Sequence, residues 1–262
     1  LDIGIGSRGL ARRCPGHSQQ WPAGGVLVVV VTLQSLAMAY AESPKWKRLF
    51  LTLPLPFTVI VLSVGRPIDG SNFLSILVLF AYTQLCRVLH ARLGTPIVFT
   101  IALGVAFYTV TGFVLADLVP TGDRAFWIGS IIIVAIGFAL HFALKRVDET
   151  PIRTTLPLRA KLPILLAVST LLVLLKNGLQ GFAGFFPLVS VIAAYETRTT
   201  LWTIAKPAPI LMITLTPMLI VARLVQEPYG LGTGMAAGWI AFLFALLPFW
   251  LSEKNTIEQN KM

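Results

Sequence analysis

Residues 130–140 read SIIIVAIGFAL, eleven positions with one hydroxyl and no charge. A half-buried strand would alternate apolar and polar side chains, and a transmembrane β-strand would do so over about ten residues. This run does not alternate. With its flanks it extends over 125–144. A helix rises about 1.5 Å per residue, so a run of about 20 residues crosses a hydrocarbon core of about 30 Å. The stretch therefore predicts a membrane-spanning helix.

The rest of the chain repeats that pattern. Its 262 residues are 56% apolar and 12% charged, against about 25% charged in an average soluble domain. Eight apolar segments follow residue 48, at 49–65, 72–87, 96–118, 125–144, 160–176, 182–195, 201–224 and 231–251. The loops between them are short and leave no room for a soluble domain. The expected fold is all-α, a polytopic membrane bundle of eight core transmembrane helices. One further apolar run, 26–40, precedes them.

The net charge of +10 raises a nucleic-acid reading, which the distribution opposes. The basic residues are scattered through short loops, where they anchor membrane helices, and are not gathered on one face. Cys14 and Cys86 lie far apart, and His17, His90 and His141 have no partner at ligand spacing, so no metal or disulfide framework is expected. No cofactor is expected, and the expected partners are the lipid bilayer and a membrane-protein partner or a second copy of the chain.

Lys and Arg set the orientation. With 41–48 on the cytoplasmic side, fourteen basic residues from Lys45 to Lys261 fall in cytoplasmic segments, and Arg66, Arg124, Lys176 and Arg223 fall outside, one per loop. Both termini of the eight-helix unit then face the cytoplasm. Trp46, Trp127, Trp202, Trp239 and Trp250 lie near predicted helix ends, where amphipathic rings favour the interface. Residues 1–37 fit this plan badly, because basic residues flank the run 26–40 on both sides. They read as sequence upstream of a start at Met38, the alternative being a signal-like segment.

The second half repeats the first at a shift of 113 residues. Gly65 meets Gly178, Phe73 meets Phe186, Ala81-Tyr82 meets Ala194-Tyr195, and Pro96-Ile97 meets Pro209-Ile210; ten of the 49 positions from Leu49 to Ile97 are identical. Each repeat holds four helices and an even number returns the chain to its starting side, so the halves are expected to be parallel repeats. The divisions are 38–147 for the first repeat, 148–159 for a linker, 160–251 for the second repeat and 252–262 for a cytoplasmic tail.

The second repeat, through AGFFPLVSVIAAYETR (183–198), Leu201, Pro217 and AAGWI (236–240), resembles the GlpM-like family of small inner-membrane proteins. The likeness covers 160–251 and is carried by Ala183-Gly184, Phe186-Pro187, Ile192-Ala193 and Tyr195. The first repeat departs from it, with Leu74 in place of the proline. The resemblance implies a bacterial inner membrane and a link to alginate production. It implies no molecular activity.

Polar groups inside a bilayer are functional candidates, and few are present. Tyr82, Gln84, Tyr195, Glu196 and Arg198 are expected to line a polar cavity between the second and sixth helices. Asp117, Lys176 and Asn177 end other helices, where side chains snorkel to water. Pro54, Pro56, Gly65, Gly70, Gly178, Gly181, Gly184 and Pro187 interrupt short helices at corresponding places in the two halves. Such breaks point to a transporter site, or to close helix packing with prolines in first turns. Gly232, Gly234 and Gly238 form a loose glycine run that reads as helix packing. No catalytic motif is present. The expected protein is a non-enzymatic accessory of envelope or exopolysaccharide synthesis; the alternative is a small-solute transporter with a site between the repeats.

Overall fold

The computed structural model describes residues 25–26, 29–30, 32–34, 52–120, 122–143, 163–164, 166–168, 170–171, 174–175, 179–196, 198, 201, 205 and 208–259. The linker 148–159 and Trp46, Lys176, Asn177, Gly178 and Trp202 lie outside the described residues. Among those described there is helix and turn but no strand.

Helix α1 (Leu55–Val64) starts after Pro54 and ends at Gly65, whose φ of 67° is open to glycine without strain and whose N–H reaches the Val61 carbonyl at 2.9 Å. Thr52 is helical as well, so the run expected from 49 is interrupted at Leu53 and Pro54, where proline cannot donate within a continuous ladder. Helix α2 (Gly70–Arg87) opens with a capping box, Asp69 and Asn72 each satisfying the other's backbone N–H. It runs on as a π-turn over Val88–Arg92. Helices α3 (Ile97–Ala116) and α4 (Asp123–Ala143) complete the first half. A 3₁₀ turn (Gln180–Ala183) leads into the short α5 (Leu188–Glu196). Helices α6 (Ala208–Tyr229) and α7 (Leu231–Gln259) form a hairpin across Gly230. The described residues of 163–175 are helical, as are those of 25–34.

Five of these spans are long and apolar enough to cross a bilayer: Gly70–Arg92, Ile97–Ala116, Asp123–Ala143, Ala208–Tyr229 and Leu231–Phe249. Helix α3 shows how they sit. Thr100, Gly104, Tyr108, Gly112 and Ala116 recur every fourth residue and are buried. Val98, Phe99, Leu103, Phe107, Val110 and Val114 are exposed on its other faces. An apolar surface of that extent would be a liability in water and matches lipid.

Helix α2 is the centre of the first half, with α3 and α4 both packed on it; in the second half α6 and α7 pack chiefly on each other, and α6 also on α4. The two halves are thus packed differently. One core cluster gathers Tyr82, Tyr108, Leu179, Phe182 and Phe186 around α2, α3 and the 3₁₀ turn. A second gathers Phe57, Phe73, Phe126, Met212, Met218 and Phe242 around α1, α2, α4, α6 and α7.

Candidate functional site

Several polar side chains of the described residues meet where α2 and α4 begin and α6 ends. Asp69, half-buried, accepts from the Ser71 backbone N–H at 2.9 Å and from its hydroxyl at 2.5 Å. The Asn72 side-chain oxygen accepts the Asp69 N–H at 3.0 Å, and its amide donates to the Gly181 carbonyl at 3.3 Å. That last bond joins the entry of α2 to the 3₁₀ turn before α5. From the other side, Gln226 on α6 grips the Ile68 peptide: its oxygen accepts the Ile68 N–H at 3.0 Å and its amide donates to the Ile68 carbonyl at 3.3 Å. Arg223, one turn earlier on the same face, donates to that carbonyl at 2.6 Å and forms an ion pair with Asp123 at the start of α4. Its guanidinium lies 4.8 Å from the Phe126 ring centre, a favourable cation–π placement.

The two helix entries touch below this layer. A Cβ on Gly181 would fall onto the Ser71 hydroxyl, and one on Gly184 would come within 2.8 Å of the Phe57 ring. Phe57 stacks on Phe185 at 4.3 Å, and Phe186 meets Tyr108 edge-on at 5.7 Å. The Tyr108 hydroxyl donates to the Phe182 carbonyl at 2.8 Å. A cavity of about 20 Å³ remains, lined by Val64, Arg66, Asn72, Gly181 and Gly184 among others. That is room for about one water.

The residues expected to line a polar cavity sit elsewhere. Tyr82 is buried against Gly104 of α3, where an added Cβ would meet its ring at 2.7 Å. Gln84, two positions on, points to another side of α2, because residues at i and i+2 do not share a helix face. The Tyr82 hydroxyl and the Gln84 amide nitrogen are both buried without a hydrogen-bond partner. Tyr195 is half-buried beside Ile97, Ile101 and Leu201. Arg198 lies over its ring at 5.1 Å and donates to its carbonyl at 3.4 Å. Glu196 closes α5. The structure therefore brings Tyr195 and Arg198 together and places Tyr82 and Gln84 apart from each other.

The break positions fare as follows. Gly65 ends α1, Gly181 and Gly184 make the close approach just described, and Pro187 sits immediately before α5, where its carbonyl accepts the Val191 N–H at 3.0 Å. Gly234 and Gly238, four apart on α7, face the backbone oxygens of Ala222 and Met218, which is helix packing. The sequence reading missed Arg223 and Gln226. It ended that helix at 224 and took Arg223 for a loop anchor, whereas α6 runs to Tyr229. Two polar residues one turn apart on an apolar helix were the available signal.

The chain matches no protein-family model, no curated protein and no solved structure.

Arg223 gives the layer its charge. Arg223→Ala is expected to lower the detergent melting temperature, through loss of a charged hydrogen bond of about 1.5–3 kcal/mol to the Ile68 carbonyl. Asp123→Asn removes only the exposed end of the ion pair, for which about 0–1 kcal/mol is expected. Melting curves of both variants in one detergent check the order.

Proposed function

We propose that the chain is an integral membrane protein that works as a packed accessory body in envelope or exopolysaccharide synthesis, and not as an enzyme. The observation that carries this reading is the junction of the two halves. There Gly181 and Gly184 lie against Ser71 and Phe57, the pocket beside them has about 20 Å³, and Asp69, Asn72, Arg223 and Gln226 are hydrogen-bonded above it. Such a junction suits a rigid body that presents surfaces to other proteins. The GlpM-like resemblance of 160–251 supports a bacterial inner membrane as its location. The charge count favours both termini of the core in the cytoplasm and the polar layer outside. We further read 38–147 and 160–251 as parallel repeats whose packing has diverged. The facing of Asn72 and Gly181, which lie at the entries matched by the 113-residue shift, supports that reading.

Deletion of the gene in the native bacterium, with exopolysaccharide and envelope integrity measured, tests the proposal. A defect restored by the full chain is expected; an unchanged envelope sinks it. The transporter reading has one observation of its own, the buried Tyr82 hydroxyl without a hydrogen-bond partner, which a bound solute would satisfy. Proteoliposomes that accumulate a labelled solute, and lose this with Tyr82→Phe, would favour transport over the accessory role.

A further inference from the structure

The first core helix is broken. Thr52 is helical, Leu53 and Pro54 are not, and α1 resumes at Leu55. The first backbone bond of α1 runs from the Thr58 N–H to the Pro54 carbonyl at 3.0 Å, and the Thr58 hydroxyl reaches the same oxygen at 2.9 Å. The Leu53 carbonyl lies ahead of that ladder. Pro56, three residues on, has no N–H to offer it. A free carbonyl of this kind is tolerated in a membrane protein only where protein or water meets it.

Gln34 meets it. Its side-chain amide donates to the Leu53 carbonyl at 3.1 Å across 19 residues of chain, and Gln34 is 3% exposed. The described residues around it, 32–34 with 25–26 and 29–30, are helical. Val29 and Leu33 turn apolar surface outward, at 56% and 61% exposed. Among the described residues of this segment the amide is buried while Val26, Val29 and Leu33 are exposed, which is the arrangement of a helix seated on a bundle and facing lipid.

We infer that the helical stretch around residues 25–34 docks on the break in the first core helix, and that Gln34 is the positioning residue that holds the Leu53 carbonyl. The occupant of the break is thus the chain's own N-terminal segment. This departs from the expectation that residues 1–37 stand outside the core unit, and it does not depend on the proposed function.

Hydrogen exchange in the detergent-solubilised full chain tests the inference, read on the amides of residues 55–64. Gln34→Leu keeps the bulk and removes the donor. It is expected to speed exchange in that segment about tenfold or more, as the loss of a bond to a buried carbonyl implies. A chain beginning at Met38 is expected to do the same. Leu33→Ala, on the exposed side, is the control and is expected to leave exchange unchanged. Unchanged exchange in Gln34→Leu overturns the inference, whatever the truncated chain does. So does a Leu33→Ala effect as large as that of Gln34→Leu, because the segment would then act through general packing and not through the amide.

Discussion

Gly238→Leu is expected to unseat the α6–α7 hairpin, the most extensive helix pair among the described residues. A Cβ at Gly238 would stand 2.7 Å from the Met218 carbonyl oxygen and 3.1 Å from the Ala222 Cβ. A backbone oxygen in the middle of a helix cannot swing aside as a side-chain end can. The helices must separate, and Phe242 and Met235, both fully buried in the adjoining core, lose their contacts. Overpacking of this kind costs typically about 1–3 kcal/mol, and leucine at a backbone contact belongs at the upper end. Gly234 is held the same way, its Cβ position 2.6 Å from the Ala222 oxygen, whereas Gly232 has nothing within 4 Å. Gly232→Leu should therefore melt close to the parent chain while Gly238→Leu melts far below it. Equal melting temperatures for the two variants would show that the hairpin is not packed as described.

The second large effect is expected at Gly181. Alanine there places a methyl on the Ser71 hydroxyl, which Asp69 already holds at 2.5 Å. Either the hydroxyl leaves Asp69 and weakens the cap of α2, or the 3₁₀ turn backs away and breaks the bond from Asn72 to the Gly181 carbonyl. Gly181→Val adds two methyls and leaves only the second course. A loss of about 3 kcal/mol is expected for valine, at the top of the overpacking range, with about half that for alanine. Ser71→Ala removes the oxygen that clashes. The Gly181→Ala, Ser71→Ala double variant should thus be more stable than the two single effects predict, by a coupling of about 1 kcal/mol. Strict additivity of the three variants in chemical denaturation would mean that the entries of α2 and α5 do not meet at this point.

These two glycine sites show where sequence reading succeeds and where it stops. Gly234 and Gly238 are four apart on an apolar helix, and that spacing is enough to read them as a packing face. Gly181 was legible as an interruption, but its contact is with Ser71, 110 residues away, and no local pattern names that partner. Arg223 was visible as a charge and misplaced by the boundary of its helix. Tyr82 and Gln84 were grouped because they lie near one level of α2. Their separation around the helix axis, about 200° for two residues at 3.6 per turn, sends them to different neighbours. Gln34 was set aside with its whole segment because basic residues flank the run 26–40 on both sides, and an amide there carries no local sign of the carbonyl it will meet.

What the sequence determined by itself is which residues leave water. Runs without charge mark the apolar helices, closely for α3 and α4 (96–118 and 125–144 expected against Ile97–Ala116 and Asp123–Ala143) and only to within five to eight residues at some ends of α1, α5, α6 and α7. The tertiary structure decided which face of each helix meets protein and which meets lipid. The reason is physical: a methyl group gains almost as much from lipid as from a protein core, so a membrane helix shows little contrast between its sides. On α3 the buried Tyr108 and the exposed Phe107 are neighbours in an almost uniformly apolar sequence. Small residues, a few hydrogen bonds and shape made the choice between them, and these act only once the partners are in place.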